Sequence, residues 1–125
     1  MSKNYEKPTI SIDAGLAEGV YAASGTGSVS VADAGVWDAW DGGGKHGFTV
    51  SWTGIDGTIV LTLNFNDTID EVAVEGSNVQ HSISGSTVTL TFSSTETNPL
   101  YVGCHLNHKT SIYDLKVTGY AHSVR

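Results

Sequence analysis

A chain of 125 residues is long enough for one two-layer core and too short for two. Its formal charge is −7, and between Lys45 and Lys109 it has no Lys or Arg, while Asp56, Asp67, Asp70, Glu71, Glu75 and Glu96 accumulate there. Phosphate backbones and anionic membrane surfaces are bound by clustered cations, so this balance argues against a nucleic-acid partner and against a membrane surface. No apolar run approaches the roughly 20 residues of a spanning helix, and none near Met1 resembles a secretory h-region, so membrane insertion is not expected.

Fifteen glycines, two prolines and many Ser, Thr and Val residues predict short strands joined by tight turns. Residues 1–7 read as a polar tail, and residues 8–125 as a single domain. Thr9–Asp13 alternates as a half-buried strand, Val20–Ser24 forms a second, and Ser28–Val31 follows the turn Gly25-Thr26-Gly27. The stretch from Ser30 to Asp41 fits either a short helix or an irregular loop. Ser30 and Asp33 have the spacing of a helix cap, Val36 and Trp40 lie four apart, and Gly42 is a candidate terminator, but Gly35 interrupts the segment.

From Phe48 onward the period is two. Phe48, Val50 and Trp52 share a face, and Ile59, Leu61, Leu63 and Phe65 make the longest alternating run. Val72–Glu75, Val79–Ser84 and Thr87–Phe92 follow, with Gly76-Ser77-Asn78 and Gly85-Ser86 as hairpin signals. In the next strand Leu100, Val102, Cys104 and Leu106 face inward, with Tyr101, Gly103 and His105 outward. Ile112–Tyr120 is predicted as the last strand. The expected architecture is an antiparallel β-sandwich of about nine or ten strands, with at most one short helix and a core that includes Val88, Leu90, Phe92 and Leu115.

The segment Val36–Trp52, VWDAWDGGGKHGFTVSW, contains all three tryptophans. Sugar rings stack their C–H faces on exposed indole while carboxylates accept from their hydroxyls, so Trp37, Asp38, Trp40, Asp41 and His46 are candidate ligand-binding residues, on a glycine-rich support. Tyr101 and His105 would add a wall if their strand lies alongside. The competing reading buries the two indoles as a plug at one end of the sandwich. Asp33, Asp38 and Asp41 are conceivable calcium ligands, but no EF-hand spacing accompanies them, and no bound metal is expected to be required. Cys104, His105 and His108 suggest zinc, yet strand alternation sends Cys104 and His105 to opposite faces. Cys104 is the only cysteine, so no internal disulfide forms.

No nucleophile elbow, HExxH or phosphate loop is present, and the pairs Asp38/Asp41 and Asp70/Glu71 have no separation readable from sequence. No catalytic residue is assigned, and the chain is expected not to be an enzyme.

The C-terminal third, TVTLTFSSTETNPLYVGCHLNHKTSIYDLKVTGY, resembles the closing strands of bacterial jelly-roll carbohydrate-binding modules, with Tyr113-Asp114-Leu115 as their aromatic–Asp–aliphatic strand. Glu71–Phe92 is similar to the paired hairpins of bacterial immunoglobulin-like modules. The first resemblance implies a jelly-roll-like fold, carbohydrate as the partner and, as such modules often have, a structural calcium. The second implies a structural role as a spacer; a subunit decorating a virion or cell surface, with a protein assembly partner, is the other structural reading. The expected location is extracellular, cell-surface or virion-surface.

Overall fold

The structure is a computed structural model that describes residues 11–12, 27–108 and 111–125. The tail 1–7, the strand expected at 20–24 and the turn residues Gly25 and Thr26 lie outside the described residues.

Two antiparallel sheets pack face to face. One has the order β1 (Ser11–Ile12), β9 (Val117–Val124), β4 (Thr58–Phe65), β7 (Thr87–Ser93), β6 (Gln80–Ser84). The other has the order β2 (Ser28–Trp40), β3 (Gly43–Thr53), β8 (Leu100–Leu106), β5 (Glu71–Glu75). Among the described residues, eight strands have five or more residues, four in each sheet, and β1 is a two-residue pairing at one edge. That is fewer than the nine or ten expected, since the run expected at 9–13 is described only as the two-residue β1 and the run expected at 20–24 lies outside the described residues. Apart from the β2–β3 and β6–β7 hairpins, every connection from β2 to β9 crosses to the opposite sheet. This winding, with β8 between β3 and β5 and with β9 beside β4, is jelly-roll-like.

The core is what the period of two predicts. Ile59, Leu61, Leu63, Phe65, Val88, Leu90, Phe92, Val102 and Leu115 are all buried, as are Phe48, Val50, Trp52, Leu100, Cys104 and Leu106. Trp52 packs on Phe92 at a centroid distance of 4.9 Å and donates its indole N–H to the Ser94 carbonyl at 2.9 Å, which answers its one polar atom. Cys104 is an inert core residue whose thiol burial pushes up to about 12.

Three local expectations are corrected. The ambiguous Ser30–Asp41 stretch is neither helix nor loop but most of β2, the longest strand. Gly35 has φ +91°, which no helix accommodates, and it sits at a register shift against β3. Asp41-Gly42, read as a helix end, is instead the two-residue turn of the β2–β3 hairpin, with Gly42 at φ +95°. Gly85-Ser86 closes the β6–β7 hairpin as expected, but Gly76–Asn78 carries the chain between sheets. There the Glu96 carboxylate accepts from the Ser77 and Asn78 N–H groups and the Ser77 hydroxyl, a bonding set that lowers its pKa. Finally, Ile112–Asp114 is a 3₁₀ turn rather than the start of the last strand. Its Ile112 anchors in the core while Tyr113 is left exposed.

Candidate functional site

The outer face of the β2-β3-β8-β5 sheet carries the candidate site. Because paired residues project to the same side, the register sets three rows across β3, β8 and β5. Lys45, His105 and Glu71 form one row, Gly47, Gly103 and Ala73 the next, and Thr49, Tyr101 and Glu75 the third. Trp37 falls at the second register shift of β2, between Val36 and Asp38, which turns its side chain onto this face.

Lys45 Nζ lies 4.9 Å from the Trp37 ring centroid and 6.0 Å from that of Trp40, close enough for a cation–π contact with at least the first. Trp40 meets the His105 ring edge-on at 5.5 Å, and His105 Nδ1 is 3.0 Å from Glu71 Oε1. Glycines in the middle row let aromatic rings lie close to the backbone. A Cβ at Gly47 would collide with the Tyr101 hydroxyl, so Tyr101 leans over that strand. Partial burial, helped by Glu75, raises the Tyr101 phenol above its ordinary pKa, so it stays a neutral donor and acceptor.

Between these groups is a groove of about 190 Å³ lined by Trp37, Lys45, Glu71, Ala73, Gly103, Cys104 and His105. Trp37 retains 55% of its surface and Trp40 40%, so the two indoles are not an end plug. The opposite sheet's outer face is chemically different. Its rows Thr91–Val60–Ser123, Thr89–Thr62–Ala121 and Thr87–Asn64–Gly119 carry no charge and no aromatic ring.

Of the seven residues expected at the site, Trp37, Trp40, Tyr101 and His105 share this face. Asp38, paired with Lys45, is exposed on the same face but outside the groove lining, and Asp41 is exposed at the hairpin tip, clear of that lining. His46 is the correction. It points inward, 3% exposed and stacked on Phe48 at 4.7 Å, with Nδ1 3.0 Å from the Ile112 carbonyl and Nε2 2.8 Å from Asp33. Alternation with Phe48 and Val50 puts it there, so it ties β2, β3 and the 3₁₀ turn together instead of meeting a ligand. Burial pushes the Asp33 carboxyl up, but the bonds from His46 and the Gly35 N–H outweigh it, and the net shift is downward.

The groove residues not anticipated are Lys45, Glu71, Ala73, Gly103 and Cys104. The parity of Lys45 against His46 and Phe48 marks it as outward-facing, but only the pairing of β3 and β5 with β8 brings Lys45 and Glu71 to one row.

Comparisons with protein-family models, curated proteins and solved structures returned no match.

Among the described residues, no three His, Cys, Asp or Glu side chains converge as a metal site. Asp33 is engaged by His46, Cys104 and His105 point to opposite faces, and His108 lies between Asp70 at 2.7 Å and Asp67 at 3.2 Å.

The last cluster predicts a pH dependence. The bond to Asp70, aided by Asp67, raises His108 above its ordinary 6.5, while the Asn107 N–H, with His108, holds Asp70 below 3.8. A folded-state pKa raised in this way stabilises fully below about pH 6.5 and loses the effect as pH rises through the raised value. The lowered Asp70 value acts in the opposite sense, losing its effect only as pH falls below about 3.8. The melting temperature of the wild type should therefore fall more steeply between pH 6 and pH 8.5 than that of His108→Gln. Parallel curves would show that the cluster does not couple to folding.

Proposed function

We propose that this protein is a non-catalytic carbohydrate-binding module that acts outside the cell, on a cell surface or on a virion surface. The observation that carries the reading is a pair of exposed indoles, Trp37 and Trp40, beside an open groove with polar groups along one wall. The apolar face of a pyranose stacks on indole, and Lys45, His105 and Glu71 offer donors and acceptors to its hydroxyls. Buried indoles would have favoured the alternative of a structural subunit with a protein partner.

Binding rather than hydrolysis is supported by the carboxylate count. Among the described residues, Glu71 is the only carboxylate lining the groove and is already paired with His105, whereas glycosidases work with two flanking carboxylates. The jelly-roll-like winding agrees with the reading but is shared by unrelated activities and adds little alone.

The deciding experiment is a glycan-array screen, with affinity electrophoresis through soluble polysaccharides as the quantitative follow-up. Affinity should be micromolar or weaker for one copy, since one stacked ring and a few polar contacts supply only about 5–8 kcal/mol. No retention on any glycan would overturn the reading. Folding is expected to need no metal, so melts with and without EDTA should coincide. A fall of many degrees on chelation would point to the Asp38 and Asp41 hairpin as a calcium site.

A further inference from the structure

Gly103 stands inside a central strand, a position where glycine is disfavoured because it packs nothing and loses the most freedom on folding. Local requirements explain other glycines nearby. Gly35 and Gly42 adopt left-handed φ values, and a Cβ at Gly43, Gly44 or Gly47 would collide with Leu106, Ile112 or Tyr101. Neither reason applies to Gly103. Its φ is not in the left-handed region, and a Cβ there would meet only ordinary contacts, with the Ala73 carbonyl oxygen at 3.5 Å, Tyr101 at 3.8 Å and Trp37 at 3.9 Å. The fold would accept alanine at this position. What the missing side chain provides is depth, because Gly103 is buried in the groove lining beside Trp37, with its exposed neighbour Ala73 lining the groove on the edge strand.

We propose that Gly103 is a specificity-determining residue, the floor on which one neutral pyranose ring lies, with Trp37 against its apolar face and its hydroxyls toward Lys45, His105 and Glu71. The inference rests on the carbohydrate reading above. The volume of about 190 Å³ matches one ring without a bulky branch. Neutrality follows from charge: Lys45 and Glu71 both line the groove and offset one another, and a chain of net charge −7 repels polyanions. Each heavy atom added at position 103 takes volume directly from the ligand, so binding should fall in the order glycine, alanine, valine while the strand is not weakened.

The test is affinity electrophoresis of the wild type, Gly103→Ala and Gly103→Val through mixed-linkage β-glucan, xylan, galactomannan and polygalacturonate, with a thermal melt of each protein. The expected result is retardation of the wild type by at least one neutral polysaccharide and not by polygalacturonate. Gly103→Val should bind at least tenfold more weakly and Gly103→Ala to an intermediate degree, both melting at or above the wild-type temperature. Wild-type retardation of Gly103→Val would overturn the floor assignment and leave the carbohydrate reading standing. A melting temperature lowered by several degrees in Gly103→Ala would show that the fold itself demands glycine, which also overturns it. Retardation by polygalacturonate alone would overturn the neutral ligand. If no polysaccharide retards the wild type, the carbohydrate reading falls and this inference falls with it.

Discussion

Leu61→Ala is expected to lower stability by about 2–5 kcal/mol. Leu61 is fully buried at the centre of β4, an interior strand between β9 and β7, and pairs with Leu90 on one side and His122 on the other. Removing its isobutyl group costs the transfer free energy of the lost atoms and leaves a cavity, because strands paired on both sides cannot collapse to fill it. A domain of this size should then melt on the order of 10 °C lower or more. Urea denaturation checks the value: the midpoint should fall with the slope unchanged. Thr62→Ala is the internal control, since Thr62 faces outward between Thr89 and Ala121 and should change stability by only about 0.5 kcal/mol. Equal losses at the two positions would contradict the assignment of faces in β4.

Trp37→Ala should weaken glycan binding by about tenfold or more, equivalent to about 1.4 kcal/mol or more, with the melting temperature nearly unchanged. The indole lines the groove, keeps over half its surface exposed and holds Lys45 through its ring face, so truncation removes the stacking platform and frees the ammonium together. Trp40→Ala should also abolish retention, by a less direct route. Trp40 is not part of the groove lining, but its ring packs edge-on against His105, whose imidazole pairs with Glu71 on the groove wall. Affinity electrophoresis and thermal melts on the two variants separate the outcomes. If either variant unfolds the domain, that indole is structural and the assembly reading takes the lead. If both stay folded and bind as the wild type does, the ligand does not stack on this face.

The β architecture was legible because burial in a sandwich imposes a period of two, and alternation survives in any strand with one face in the core. Ile59 to Phe65 and Thr87 to Phe92 show this directly: every residue assigned inward there is buried. The same rule sent Cys104 inward and His105 outward, and parity with Phe48 already contained the burial of His46, although the glycine-rich context drew attention to it as a ligand residue. In residues 30–41, Ser30 and Asp33 at helix-cap spacing and a glycine at position 42 also suit a bulged strand and an Asp-Gly hairpin, and only the partner strand β3 decides between them.

Of the candidate site, local patterning supplied the aromatic and polar inventory: Trp37, Trp40, Tyr101 and His105, each with its face or its chemistry. Tertiary structure decided the assembly. Placing Lys45 beside Glu71 requires β3 and β5 to flank β8, through pairings of Lys45 and Glu71 with His105 that join residues 60 and 34 positions apart and leave no mark in any one strand's own sequence. Whether Trp37 was a plug or a platform depended on a register shift in β2, which reverses the face of a side chain without changing its neighbours in the chain. Alternation is a property of each strand alone and can be read from it. Register and sheet order arise only when distant strands bury their apolar faces together, and they determine which outward residues become neighbours.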